Sequence, residues 1–135
     1  MYSTYLAVHL FAVMVWIGSI SAAGLMLAVE FATPEQRGQL ALASYRRLSV
    51  PAFLLALCFG VVCFVTDPSG GLLRNPSMHA KLTLAVAIIA IHHWVGIRAR
   101  KMARGSFRQG LHWSVTVTLI TCAAAAVWLV VVKPI

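Results

Sequence analysis

The chain alternates between long apolar stretches and short polar connectors. The apolar stretches cover about residues 4–29, 48–66, 78–97 and 111–132, and each is close to the roughly 20 residues that a transmembrane helix requires. Because only helices and closed barrels satisfy their backbone polar groups in lipid, unbroken runs of this length predict helices. The pattern therefore predicts an all-α integral membrane protein, with one four-helix bundle over residues 1–135.

Helix-breaking residues and charges mark the connectors. The first connector ends at Arg46 and Arg47. Pro51 follows in the first turn of the predicted second span, where a missing N–H costs little. Gly105 and Gly110 are expected to break the helix after the third span.

The composition supports a membrane protein, because 61% of the residues are hydrophobic and only 10% are charged. Soluble domains have about 25% charged residues. The net charge of +8 comes from Lys and Arg beside apolar runs, where they anchor lipid headgroups, so we expect no nucleic-acid partner. The first and third connectors hold most of these cations. The positive-inside rule therefore predicts a multi-pass protein of a bacterial-type inner membrane with both termini outside.

The cysteines give little support to a disulfide or a zinc site. Cys58, Cys63 and Cys122 all lie in apolar runs and form no Cys-x-x-Cys pair. A copper site built from His, Met and Cys is also conceivable. However, Cys58 and Cys63 are five residues apart and do not share a helix face.

Two histidines are the only ionisable side chains between Leu82 and Gly96. Ionisable groups inside a membrane are expensive and by default indicate function, and neutral imidazole is a good haem ligand. His93 points about 100° away from His92, so we expect only one of the pair to face a site. The alternative is a histidine that only makes a hydrogen bond between helices.

Helical periodicity places Lys81 and His92 on one stripe of the third span. The step of eleven residues from Lys81 to His92 corresponds to about 16 Å, which is comparable to a porphyrin with its propionates. Lys81 would lie near the outer surface, where it could also extend towards the interface without any ligand.

The first span has a second stripe, on which His9, Trp16, Ala23 and Glu30 follow one another at steps of seven. We expect Trp16 near the middle of the membrane, packed on something inside the bundle. His9 is expected near the outer end, where hydration at the interface is an alternative to ligation.

Several stretches together resemble the HemJ family of membrane-embedded protoporphyrinogen oxidases and the related CopD-type membrane proteins. Residues 9–18 resemble the family's first helix, and Arg46-Arg47-Leu48 with Pro51 resembles the entry to its second. The segment around Lys81, with His92 eleven residues later, is similar to the third helix, and residues 130–135 are similar to the family's ending.

This resemblance implies a four-helix membrane protein that binds haem b. The implied reaction oxidises protoporphyrinogen IX to protoporphyrin IX and passes the electrons to a membrane quinone. His9 and His92 would be the metal ligands, with Trp16 and Lys81 beside the cofactor. Lys81 and Arg47 would act on the substrate by holding propionates, since cationic side chains and the Arg fork suit carboxylates.

The sequence also departs from the family. Where the family has an Asn-Glu pair and then a proline, this chain has Leu111, His112 and Ser114. We therefore expect haem binding to transfer better than oxidase activity. Alternative hypotheses are a CopD-like copper-handling or transport protein, and a non-catalytic accessory subunit of a membrane complex. Because four spans form a thin bundle around a macrocycle, we also expect a homo-oligomer or a membrane partner subunit.

Overall fold

The computed structural model describes residues 1–69, 74, 76–106, 114, 117, 118, 120, 121 and 124. Within that part of the chain, every regular secondary-structure element is helical. The elements are α1 (Tyr2–Ala28), α2 (Pro34–Ser44), a π-helical turn (Tyr45–Ser49), α3 (Val50–Val65) and α4 (Pro76–Ala103).

Among the described residues, three helical segments are long and apolar enough to cross a membrane: α1, the continuous segment from α2 through α3, and α4. This confirms the coarse prediction of a helical chain with membrane-length apolar helices. The predicted fourth span, residues 111–132, lies outside the described residues except for single positions, and so does Gly110.

The second helical segment begins at Pro34, well before the predicted start at residue 48. Thr33 caps it, since its hydroxyl accepts from the Gln36 N–H while the Gln36 side chain accepts from the Thr33 N–H. Proline at the first helical position is already fixed in a helical φ. The hydropathy pattern did not predict this start, because it identifies only apolar segments. A capping box can begin a helix in a polar segment as well.

Pro51 lies in the first turn of α3, as predicted, but α3 follows α2 and the π-helical turn without a break, so this turn is not a free helix end. Pro51 cannot donate to the carbonyl of Arg47, and its ring crowds that oxygen. The chain widens just before it, over Tyr45–Ser49, where the Val50 N–H donates to the Tyr45 carbonyl five residues back. Such π-helical turns are rare in proteins, and those that occur often lie at functional sites.

A buried arginine closes the end of α1. The Nη1 atom of Arg37 donates to the carbonyl of Val29 at 2.9 Å and lies 3.5 Å from that of Leu27. These carbonyls at a helix C-terminus need donors, and a cation there is favourable. Because α1 ends at Ala28, Glu30 is exposed and does not continue the stripe of His9 and Trp16.

The third predicted span, about residues 78–97, is longer in the structure, where α4 continues through the basic residues to Ala103. Gly105 ends it with a φ of 74°, as predicted. The N–H of Ser106 donates to Lys101 and that of Gly105 to Met102, which satisfies the last carbonyls.

Close packing joins the helices, with α1 against α2 and α3, and α2 against α4. A Cβ added at Gly38 would lie 2.3 Å from the backbone N of Ala103, so the two backbones nearly touch. In α4 every buried residue lies at or after Ile88. The first half of α4 therefore contributes little to the core that the described residues form. The buried side chains of that core cluster are Ala12, Trp16, Ile20, Ala23, Leu27, Ala41, Ala52, Ala56, Ile88, Val95, Ala99 and Met102.

Candidate functional site

The His92 side chain is buried between three helical segments, with 1% of its surface exposed. The indole Nε1 of Trp16 donates to His92 Nδ1 at 3.1 Å, and the Ser49 hydroxyl lies 3.3 Å from the same nitrogen. An indole N–H can only donate, so Nδ1 is the acceptor. The proton of the neutral imidazole is therefore on Nε2.

Aromatic rings surround this imidazole. Their centroids lie 4.7 Å (Tyr45), 5.0 Å (Phe53) and 5.9 Å (Trp16) from that of His92. The π-helical turn contributes two of the surrounding residues, since both Tyr45 and Ser49 are buried on the inner side of this segment. The His92 ring thus links α1, the π-helical turn with α3, and α4.

These hydrogen bonds favour the alternative reading of His92, a hydrogen bond between helices, over metal ligation. A metal-bound histidine gives one nitrogen lone pair to the metal and normally donates the N–H of the other nitrogen. Here Nδ1 receives a donor and Nε2 carries the proton. Ligation through Nε2 would turn an Nδ1–H towards the Trp16 N–H, so this arrangement does not suit an iron ligand.

His93 lies on a different face of α4, as the helical geometry predicts. It is exposed, while His92 is buried. The two rings meet edge to face at 5.2 Å. Only His92 of this pair faces the interior of the described bundle.

His9 has the opposite hydrogen bonding and is half-buried. Its Nδ1 lies 2.8 Å from the carbonyl oxygen of Ala56 on α3. A carbonyl only accepts, so Nδ1 carries the proton and Nε2 carries the lone pair. An Nδ1–H donated to a backbone carbonyl is the usual support of a metal-ligating histidine. His9 therefore fits the chemistry of an axial haem ligand.

The missing side chain of Gly60 leaves the space that the His9 ring occupies. A Cβ at Gly60 would lie 3.0 Å from Cε1 of His9, closer than nearly all real contacts. Ala56 and Gly60 are one helical turn apart and form a shallow groove for the ring. The sequence analysis did not single out these residues, although a pair of small residues four apart in an apolar run indicates a close helix contact.

The structure does not bring His9 and His92 together. His9 precedes Trp16 by seven residues on α1, which is about 10 Å along the helix. Trp16 is the residue of α1 that donates a hydrogen bond to His92. The two imidazoles therefore lie at different levels of the bundle and do not face one shared iron.

Lys81 lies towards the same end of the bundle as His9. The central segment runs antiparallel to both neighbours, because His9 meets Ala56 near one end and Gly38 meets Ala103 near the other. Hence α1 and α4 are parallel, and Lys81 lies about 16 Å from the level of His92 on the His9 side. Its side chain is partly exposed on the loosely packed half of α4.

Arg47 is exposed on the π-helical turn, on the other side of the Trp16–His92 contact. It follows that Lys81 and Arg47, predicted to act together on propionates, lie on opposite sides of the level of the Trp16–His92 contact. Their separation along the axis is about 20 Å by helical rise.

A site with several protein ligands is not found in the described residues, where no three His, Cys, Asp or Glu side chains come close enough to hold a metal ion. Cys58 and Cys63 are free thiols, and Cys122 lies outside the described residues. A porphyrin brings four nitrogens of its own, so a single imidazole is enough to hold its iron.

Comparison of the chain with family models, with curated proteins and with solved structures gave no match.

Proposed function

We propose that this chain is a membrane haem b protein in which His9 is the axial ligand, and that it oxidises protoporphyrinogen IX to protoporphyrin IX. The observation that supports haem binding is the 2.8 Å contact between His9 Nδ1 and the Ala56 carbonyl oxygen. This contact turns the lone pair of Nε2 away from the carbonyl and fixes the tautomer that iron requires. The oxidase reaction rests on the resemblance to the HemJ family.

Lys81 is the residue that we assign to the propionates. It lies on the same side of the Trp16–His92 contact as His9, and its ammonium group can pair with a carboxylate. Arg47 is too far along the bundle to hold the same edge of one porphyrin. We therefore separate the two cations, which the sequence analysis had grouped.

The reaction must balance electrons and protons. Removing six electrons and six protons from the porphyrinogen reduces three quinones to quinols, and haem when bound supplies reversible one-electron transfer. The contribution of the chain is to orient the His9 ring, to hold carboxylates at Lys81 and to keep the site within a packed apolar bundle. His92 contributes by joining the helices.

The test of haem binding is the visible spectrum of the purified protein before and after dithionite. We expect a Soret band and a reduced α-band of the b type. The His9→Gly variant should lose both, and added imidazole should restore them by filling the space of the missing ring. His79→Ala is the matched control, because His79 is an exposed histidine of α4, and it should keep the spectrum.

Folded protein that stays colourless after hemin is added would contradict the haem assignment. The oxidase assignment has a separate test, in which protoporphyrin fluorescence is followed with a quinone as acceptor. Haem-loaded protein that never forms protoporphyrin would remove the oxidase assignment and leave haem binding in place.

A further inference from the structure

Exposed charges and exposed apolar side chains divide the bundle at the level of the Trp16–His92 contact. On the His9 side of this level, α3 exposes Leu54, Leu57, Val61 and Val65. Directly on the other side, Arg46 and Arg47 are exposed, and α4 exposes Arg100 and Lys101 further along. These four cations thus lie on one side of the level, which also exposes apolar side chains such as Leu40, Leu48 and Ile97.

The level of the two arginines can be set against that of His92 by helical rise. Ser49 touches His92, so Arg47 and Arg46 lie only about 3 and 5 Å beyond this level. A bilayer centred on Trp16 and His92 would therefore place two exposed guanidinium groups close to its midplane. Such a position is strongly unfavourable, and snorkelling covers only a few ångströms.

A bilayer that begins at the arginines fits better. Hydrocarbon is about 30 Å thick, which equals about 20 helical residues. Counting 20 residues from Arg47 along the helix leads to Asp67, just past the end of α3 at Val65. On this placement the exposed apolar residues of α3 all face lipid, and His9 lies near the midplane.

The remaining part of the bundle comprises the end of α1, α2 and the end of α4. On its surface α2 exposes Glu35, Gln36 and Gln39 beside Leu40, so polar side chains predominate among these exposed residues of α2. Contacts within the protein hold this part together. Gly38 packs α2 against the backbone of α4 at Ala103, and Arg37 donates to the Val29 carbonyl at the end of α1.

We propose that Arg46 and Arg47 bind anionic lipid headgroups, and that α2 with the adjoining ends of α1 and α4 projects from the bilayer into water. Guanidinium groups pair with phosphate through two parallel hydrogen bonds, and basic residues at a membrane edge attract anionic lipids. This inference requires membrane insertion but not haem.

The first test is accessibility in vesicles of phosphatidylethanolamine and phosphatidylglycerol. The chain is first freed of its cysteines by replacing Cys58, Cys63 and Cys122 with Ala. A single cysteine is then introduced as Gln39→Cys or, as the matched position, Leu54→Cys. Both positions are exposed on the bundle, so only lipid distinguishes them.

A membrane-impermeant maleimide should label Gln39→Cys at least about 100-fold faster than Leu54→Cys in vesicles opened to expose both faces. In denaturant the two should react alike. Equally slow labelling of both in the vesicles would place α2 within the bilayer and overturn the proposal.

The second test counts phosphatidylglycerol molecules retained by the purified protein in native mass spectrometry. The double variant Arg46→Gln, Arg47→Gln should retain several-fold less of this lipid than the unmodified chain. Arg104→Gln, which removes an exposed cation beyond α4, should retain as much as the unmodified chain. Equal losses in the two variants would overturn the headgroup assignment, whether or not the protein carries haem.

Discussion

The orientation of the His9 ring depends on a missing side chain across the helix interface. Gly60 leaves the space that the ring occupies, and Ala56 one turn earlier provides the carbonyl that fixes its Nδ1–H. In a membrane, a helix interface formed by small residues allows such close approach of another helix. The His9 ring and the carbonyl group that orients it thus come from different helices, α1 and α3.

Gly60→Ala should weaken haem binding while leaving the helices intact. Its Cβ would lie 3.0 Å from His9 Cε1, so the ring must move and its hydrogen bond to Ala56 must lengthen. Removing such support typically costs 10- to 100-fold in metal affinity. Hemin titration of the apoprotein measures this loss. Gly18→Ala is the control, since none of the described residues lies within 4 Å of a Cβ placed there, and a similar loss there would contradict the assigned role.

Trp16→Phe should destabilise the fold by about 1–2 kcal/mol, because it removes the only N–H that the structure aims at His92 Nδ1 from α1. Reversible unfolding in mixed micelles gives this free energy. Ser49→Ala should cost less, since Trp16 still satisfies the nitrogen. In ¹⁵N spectra of the unmodified apoprotein, His92 should show the proton on Nε2; a proton on Nδ1 would refute the assigned tautomer.

Metal ligation by His9 and His92 stays a prediction of the sequence, and the structure adds the hydrogen bonds that each ring makes. Both His9 and His92 follow from the cost of ionisable groups in lipid. Their hydrogen bonds could not be predicted, because they depend on which carbonyl or indole another helix brings close. That dependence is why the two rings looked alike in the sequence and are different in the structure.

At the scale of elements, the close contact of α2 with α4 holds the polar end of the bundle together. Gly38→Ala should destabilise the protein by about 1–3 kcal/mol, because the new methyl group meets the backbone of Ala103, which cannot rotate away as a side chain could. Gly18→Ala should gain slightly from helix propensity instead. Thermal unfolding in detergent compares the two, and an unchanged midpoint for Gly38→Ala would contradict the packing described for α2.

Helix boundaries were predicted well where lipid sets them and poorly where local chemistry does. The span of α1 agrees with its apolar run. By contrast, α2 begins at the Thr33 capping box, and α4 continues past Ile97 because Ala99 and Met102 are buried against neighbouring helices. Hydropathy contains no information on either feature, although the spacing of Thr33 and Gln36 would have revealed the first.

On the scale of the whole molecule, the His9 and His92 positions should behave as two independent units. They lie about 10 Å apart along the bundle by helical rise, so the effects of Gly60→Ala and Trp16→Phe on the free energy of unfolding should add to within about 0.5 kcal/mol. Unfolding of the double variant, with and without hemin, measures the coupling. A coupling well above about 1 kcal/mol that appears only with hemin would mean that both rings hold one iron.

The widened turn before Pro51 also has a consequence for changes in chain length. A π-helical turn holds one residue more than an α-helical turn and completes the same full rotation, so it absorbs that residue without turning α2 about its axis. Deleting one residue between Tyr45 and Ser49 should therefore restore regular α-helical winding and keep Gly38 against Ala103. A single deletion within the regular winding of α3 would instead turn α2 by about 100° about its axis and move Gly38 away from Ala103.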